Sequence, residues 1–335
     1  MTEFTGNHIL SVNQLDRDAI SKIFDTATTM QPYAQRKKQT KVLDGAILGN
    51  MFFEASTRTR VSFGSAFNLL GGSVRETTGM STSALSKGES LFDTARVLSS
   101  YADVIAMRHP QSGSVAEFAQ GSMVPVINGG DGSNEHPTQA LLDLYTIEKE
   151  LASNLQTIDN MHIAMVGDLK YGRTVHSLSK LLAQYNNITF SLISPKELSM
   201  PDEVITLIEN AGHKVIITDD LEGNAGADIL YLTRIQEERF DNADEANKYR
   251  GQFRLNQQIY TQHCKSNTVI MHPLPRDSRM EANELDTDLN LNPNLAIFRQ
   301  VENGVLIRMA LFALTLGVAD KVKQHECDVN WFSRK

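Results

Sequence analysis

Phe52-Phe53-Glu54-Ala55-Ser56-Thr57-Arg58-Thr59-Arg60 carries an apolar strand end into hydroxyls and guanidinium groups at the point where a helix should begin. Ile47 to Phe53 reads as a strand, while Val61, Phe63, Ala66, Phe67 and Leu70 recur at helical spacing. The strand-to-helix turn therefore falls on Ser56 to Thr59. First-turn N–H groups of a helix have no intrahelical partner, and with the positive end of the helix dipole they favour a phosphate. Ser56, Thr57 and Thr59 add hydroxyl donors, and Arg58 adds a charged planar fork. A lone Ser or Thr here would be an ordinary N-cap. Five consecutive anion-binding side chains at a strand's carboxyl end predict a phosphate site instead.

A chain of 335 residues exceeds one ordinary core and suits two domains of about 150 residues each, with a cleft between them. Hydrophobic residues at 41% and charged residues at 21% make a globular balance, and a formal charge of −8 argues against a general nucleic-acid binder. Any anionic ligand must then be met by locally gathered Arg and Lys. Residues 1–16 show no basic stretch followed by an apolar one, so a cytoplasmic location is expected. The apolar run Val305 to Ala319 is interrupted by Arg308 and too short for a bilayer, which predicts a buried helix and no membrane association. Cys264 and Cys327 have neither disulfide-framework nor zinc-ligand spacing and read as ordinary thiols.

Further strand ends carry polar groups. Asp103 to Met107 runs into Arg108-His109-Pro110, and Val124 to Asn128 leads towards His136-Pro137-Thr138-Gln139 and a helix over Ala140 to Leu151. Pro137 suits a helix start, which places His136 and Gln139 at the helix mouth. A lone His is more often structural, but this one follows a polar strand end and precedes a helix N-terminus. Two segments read as connections: a basic linker, Gln35 to Lys41, and a Ser/Thr/Gly-rich loop, Thr77 to Ser86, which on composition is a solvent loop.

The polar segment Asn154 to Asn160 marks a domain boundary, after which strands alternate with helices again. Strands are expected at His162 to Asp168, Ile188 to Ile193, Lys214 to Thr218, Asp228 to Thr233 and Thr268 to Met271, and helices at Arg173 to Tyr185 and Pro201 to Ala211. Gly167 and Gly172 do not make a dinucleotide fingerprint, and Arg173 at a helix start suggests carboxylate binding. Arg234 and Gln236, two apart after a strand, suit a second carboxylate; the competing reading is surface pairing of Arg234 with Glu237 or Glu238. In His272-Pro273-Leu274-Pro275-Arg276 two prolines remove N–H donors, so the segment offers carbonyl oxygens to a ligand's N–H groups. The tail after Val322 shows no readable pattern.

No G-x-S-x-G, P-loop or metal cluster is present, which disfavours covalent, nucleotide-driven and metal-assisted chemistry, and no cofactor is expected. Group transfer from a phosphorylated donor to an amine on a carboxylated acceptor fits, with positioning and electrostatics carrying the rate.

Ser56-Thr57-Arg58-Thr59-Arg60, Arg108-His109-Pro110, His136-Pro137-Thr138-Gln139 and His272-Pro273-Leu274-Pro275-Arg276 resemble, in the same order, the motifs of the aspartate/ornithine carbamoyltransferase superfamily. The Pro after His272 and the Arg234-x-Gln236 segment resemble the aspartate branch; the ornithine branch carries a Cys after that His and a Ser-Met-Gly segment, both missing here. The resemblance implies an α/β fold of two doubly wound open parallel sheets, one per lobe, with the active site in the cleft and at a subunit interface. Residues 1–150 would form a carbamoyl-phosphate-binding lobe on which 303–335 packs back, and 151–302 an aspartate-binding lobe.

The same resemblance implies roles. Ser56, Thr57, Arg58, Thr59 and Arg108 would hold phosphate; Thr59, Arg108 and His136 would polarise the carbonyl; Gln139 and the carbonyls of Pro273 and Leu274 would take the carbamoyl amide. Arg173, Arg234 and Gln236 would bind the L-aspartate carboxylates with Lys87 joining them, and Ser83 and Lys87 would come from the neighbouring subunit of a catalytic homotrimer. Glu54 would pair with Arg173 or Arg239. The superfamily includes assemblies with zinc-containing regulatory chains, and the sequence leaves such a partner open. An acceptor other than L-aspartate, such as ornithine, is the alternative activity.

Overall fold

The computed structural model describes residues 3–79, 88–237, 240, 248–277, 279 and 282–331. The chain forms two compact units, Met1–Leu141 with Glu302–Lys335, and Leu142–Val301. Both divisions fall inside helices, Pro137–Ser153 and Ile297–Thr315, rather than at the polar segment 154–160. A continuous helix has no change of composition for a sequence reading to detect.

Before the tail, the strands described in the first unit are β1 Lys38–Thr40, β2 Ile47–Phe52, β3 Ser73–Thr78, β4 Val104–His109 and β5 Val126–Asp131. Four of them make a parallel sheet in the order β3-β2-β4-β5. Its centre is apolar because β2 and β4 are covered on both faces, and Leu48, Val104, Ile105, Ala106 and Met107 are fully buried. The helix Thr57–Leu69 buries Phe63 and Phe67, whose rings meet Phe312 edge-on at centroid separations of 5.9 and 5.0 Å.

Two expectations are corrected at the edges of this unit. Thr77 and Thr78 belong to β3, an edge strand so polar that Val74 is its single aliphatic residue, and Met80 to Lys87 lie outside the described residues. The linker Gln35 to Lys41 is in part β1, which pairs antiparallel with the tail strand that lies beyond Val322, Glu326–Asp328. Thr40 donates to the Val322 carbonyl at 2.9 Å, and Lys38 Nζ lies 2.8 Å from Asp328 Oδ1. Strands of three polar residues show no alternation, so only pairing reveals them.

The second unit holds β6 His162–Val166, β7 Thr189–Ile193, β8 Lys214–Thr218, β9 Ile229–Leu232 and β10 Val269–Met271. They form a parallel sheet in the order β10-β9-β6-β7-β8, flanked by helices Arg173–Leu182, Asp202–Asn210 and Gln257–His263. Ala164, Val166, Leu230, Leu232 and Ile270 pack in its core with Leu255, Leu285 and Ile297. Short helices at Ser114–Gly121 and Gln257–His263 escape the sequence reading.

Each sheet has a point where strand order reverses, between β2 and β4 in the first and between β6 and β9 in the second. Ligands of open α/β sheets bind outside the carboxyl ends of the strands at such points. Among the described residues no helix is long and apolar enough to cross a membrane, and no group of His, Cys, Asp and Glu is arranged to hold a metal.

Candidate active site

At the first reversal, β2 ends in Phe53-Glu54-Ala55 and Ser56 is the N-cap of the helix Thr57–Leu69. Ser56 makes no side-chain capping bond and no acidic residue occupies the first turn, where one would ordinarily offset the dipole. Thr57 and Arg58 are exposed, Ser56 and Thr59 half-buried. A helix N-terminus without a carboxylate, ringed by hydroxyls and an arginine, suits an external anion.

β4 runs beside β2 so that Phe52 pairs in register with Arg108, and Phe53 N–H donates to the Arg108 carbonyl at 2.9 Å. Arg108, 11% exposed at its side chain, donates through Nε to Glu54 Oε2 at 2.8 Å and through Nη1 to the Gly129 carbonyl at 3.4 Å. This ion pair lies within the first unit; Arg239, one of the two expected partners of Glu54, lies outside the described residues. His109, next in the motif, is buried and accepts from Gln111 N–H at Nδ1, 3.1 Å away. Burial lowers its pKa, so it is a neutral structural imidazole.

His136, 4% exposed, follows the end of β5 and precedes the helix Pro137–Ser153. Glu135, which accepts from Val12 N–H at 2.8 Å, and the bridge between Asp131 and Glu135 hold this connection. Gln139 lies in the first helical turn, its N–H donating to the His136 carbonyl at 3.0 Å. Ser56, Thr57, Arg58, Thr59, Arg108, His136 and Gln139 thus share the carboxyl edge of one sheet.

Arg308 is a residue the sequence reading missed, having taken it for an interruption in an apolar helix. It is 4% exposed, donates to Ser62 Oγ at 2.9 Å and to the Gly304 carbonyl at 3.1 Å, and lies 3.5 Å from Thr138 Oγ1. Its guanidinium also covers the Phe63 ring at 4.9 Å. One buried cation therefore ties the cradle helix to the first turn after His136, and a charge inside an apolar run was the available signal.

At the second reversal β6 ends in Gly167-Asp168. Gly167 has φ +110°, and a Cβ there would come within 2.3 Å of the Thr233 carbonyl, so only glycine lets the β6 and β9 exits run together. Asp168 is fully buried and accepts from Tyr171 N–H at 3.0 Å and Gln236 N–H at 3.2 Å. It thereby ties the approach to Arg173, at the first helical position after Gly172, to the Arg234–Gln236 segment. Arg234 donates to the Ile235 carbonyl at 3.1 Å, and Arg173, Arg234 and Gln236 are all half-buried. Glu237 is engaged by Arg250 Nε at 2.7 Å and Arg279 Nη2 at 2.8 Å; Glu238 lies outside the described residues.

Past β10, Pro273 and Leu274 sit half-buried in a turn whose Leu274–Pro275 bond is cis. The N–H of Leu274 is consumed by His272 Nδ1 at 2.8 Å, which leaves the turn's carbonyls as its offering to a ligand. Ser83 and Lys87 lie outside the described residues.

Residues 7–149 match the family described as aspartate/ornithine carbamoyltransferase, carbamoyl-P binding domain, and residues 159–315 match aspartate/ornithine carbamoyltransferase, Asp/Orn binding domain. The chain is 70% identical, over 98% of its length and 98% of the relative's, to an aspartate carbamoyltransferase catalytic subunit of Cellvibrio japonicus. It is 66% identical to that of Saccharophagus degradans, with the same coverage of both chains, 98%. Among solved structures it resembles aspartate transcarbamoylase from Trypanosoma cruzi in complex with aspartate and phosphate, with a TM-score of 0.83 and 37% identity over 93% of this chain and 96% of that one. The catalytic subunit of M. jannaschii aspartate transcarbamoylase gives a TM-score of 0.82 at 40% identity, covering 95% of this chain and 99% of that one. With both of its halves matched and 98% of its length aligned to such a relative, this chain belongs to the aspartate/ornithine carbamoyltransferase family.

Proposed function

We propose that this chain transfers the carbamoyl group of carbamoyl phosphate to the amine of L-aspartate, giving N-carbamoyl-L-aspartate and phosphate, a reaction of pyrimidine biosynthesis. The observation that carries this reading is the helix N-terminus at Ser56 to Thr59, which lacks a first-turn carboxylate and lies beside an arginine held by Glu54. In this reading Ser56, Thr57, Arg58, Thr59 and Arg108 take the phosphate, and Gln139 with the Pro273 and Leu274 carbonyls takes the carbamoyl amide. Arg173, Arg234 and Gln236 bind the two carboxylates of aspartate.

The aspartate amine attacks the carbonyl carbon, forming the C–N bond, and negative charge develops on the carbonyl oxygen. Thr59, Arg108 and His136 donate to that oxygen, and prearranged donors need no reorganisation as the charge appears. The intermediate then collapses by breaking the C–O bond to phosphorus, and the departing phosphate leaves with the electron pair and takes an amine proton.

Two guanidinium groups at the acceptor site attract carboxylates and repel a cationic side chain, which disfavours ornithine. Following the colorimetric appearance of ureido product with each amino acid tests this: L-aspartate should react far faster, and equal rates with both would refute the assignment. The reading extends to a cytoplasmic homotrimer in which Ser83 and Lys87 complete a neighbour's site. Zinc-containing regulatory chains are a partner the sequence leaves open, and sedimentation of the native complex with a zinc assay decides between their presence and their absence.

A further inference from the structure

The turn from His272 to Asp277 is held by a buried carboxylate to which the reading above assigns no role. His272 is 1% exposed, and its two ring nitrogens have different partners. Leu274 N–H donates to Nδ1 at 2.8 Å, and Nε2 lies 2.7 Å from Glu284 Oε1. A ring nitrogen that accepts carries no proton, so the proton sits on Nε2 and is donated to the carboxylate. Glu284 also accepts from Asp277 N–H, at 3.0 Å through Oε1 and 3.3 Å through Oε2. One carboxylate therefore grips the turn at its first residue and at its last, with Pro273 and Leu274 between.

A separate anchor lies behind this clamp. His272 N–H donates to Gln300 Oε1 at 3.1 Å, Gln300 Nε2 donates to Asp143 Oδ1 at 2.6 Å, and Tyr231 OH donates to Asp143 Oδ2 at 2.7 Å. These groups are all buried, and none of them needs Glu284. Removing Glu284 should consequently loosen the turn while the end of β10 stays attached.

We infer that Glu284 is a positioning residue: by holding His272 in its Nε2–H form and fixing Asp277 N–H, it aims the Pro273 and Leu274 carbonyls and so sets the preference for an amide on the phosphorylated donor. This rests on the reading that those carbonyls accept from the carbamoyl NH2 group. Acetyl phosphate, which carries a methyl where carbamoyl phosphate carries NH2, isolates that interaction, and inorganic phosphate reports the anion cradle alone.

The experiment is calorimetric titration of the full-length protein with carbamoyl phosphate, acetyl phosphate and inorganic phosphate. Wild-type protein should favour carbamoyl over acetyl phosphate by about tenfold or more, the value of one or two net hydrogen bonds. Glu284→Ala should bring that ratio to within about twofold of unity while inorganic phosphate binding changes by less than about twofold. Glu284→Gln, which keeps an oxygen able to accept from both His272 and Asp277, should restore most of the ratio. A folded Glu284→Ala protein with the wild-type ratio overturns the inference, as does an equal loss for all three ligands, which marks a general structural role. Should Glu284→Ala fail to fold, Glu284→Asp replaces it: its oxygens stand one methylene short of spanning both donors, and a wild-type ratio there is equally fatal. Wild-type protein that does not distinguish the two donors refutes instead the assignment of Pro273 and Leu274, and with it the role of Glu284.

Discussion

Glu54 and Arg108 form an ion pair of 2.8 Å between the carboxyl ends of β2 and β4, where the strand order of the first sheet reverses. Their side chains are 27% and 11% exposed, so the pair is shielded from solvent and worth more than a surface contact. The carboxylate engages Nε and thereby sets the plane of the guanidinium. Glu54→Gln keeps an oxygen acceptor but removes the charge. It should lower kcat/KM for carbamoyl phosphate by about tenfold to a hundredfold, from the 1.5–3 kcal/mol of a hydrogen bond to a charged group. Steady-state kinetics at saturating aspartate measure this, and an unchanged value would remove Glu54 from the site.

His136 separates an enzyme from a protein that merely binds phosphate and carboxylates. Both would keep Arg58 and Arg173, but only the enzyme needs a donor to the developing oxyanion. His136→Ala should reduce turnover by about two to three powers of ten, the cost of one oxyanion donor, with carbamoyl phosphate affinity little changed. Paired turnover and binding measurements resolve the two effects. Wild-type protein that binds both ligands and makes no carbamoyl product would end the enzymatic reading.

Glu237 makes the segment that carries Arg234 and Gln236 sensitive to acid. The hydrogen bond from Arg250, joined by that from Arg279, lowers the Glu237 pKa below its usual value. A carboxylate depressed in the folded state contributes stability that is present above its unfolded pKa and is lost as pH falls through the folded one. Glu237→Gln should accordingly be less stable than wild type at neutral pH, and the difference should shrink as pH drops below the ordinary carboxylate range. Thermal unfolding of both proteins from neutral to acidic pH checks the sign; a gap that widens towards acid would contradict it. Added salt should narrow the gap at neutral pH, because the pair is partly exposed.

Lys87 tests the subunit boundary. If each site of a closed trimer combines Arg58 of one chain with Lys87 of the next, Arg58→Ala and Lys87→Ala chains should each be nearly inactive alone. A mixed ring contains one interface where both residues are intact, so random reassembly of equal amounts should restore about a quarter of wild-type activity. Co-dissociation, reassembly and assay of N-carbamoyl-aspartate measure it. Confirmed hybrids without recovered activity would place Lys87 in its own chain's site or outside any site.

Local order made much of this protein readable. The strand-to-helix turn at Ser56 to Thr59 was legible because the apolar spacing on either side switches from strand to helix at that point. The positions of Arg108 and Arg234 were legible because each stands where a buried apolar strand meets polar groups, and that of Arg173 because it opens a helix. The parallel sheets followed from alternation of strands and helices. β3, β1 and the strand Glu326–Asp328 did not, because exposed or three-residue strands carry no hydrophobic period.

The sequence by itself therefore determined the chemistry on offer, the strand and helix ends that bear it, and the α/β class, since these depend on neighbours along the chain. Only the tertiary structure decided how those groups are held: Glu54 against Arg108, Asp168 under Gln236, Arg308 between Ser62 and Thr138, and Glu284 behind His272. Each of those partnerships joins residues from different elements, and a carboxylate or guanidinium far along the chain gives no periodic signal of the group it will meet. Burial then makes the partner obligatory, because an ionised side chain taken from water without one would cost more than the fold can offset.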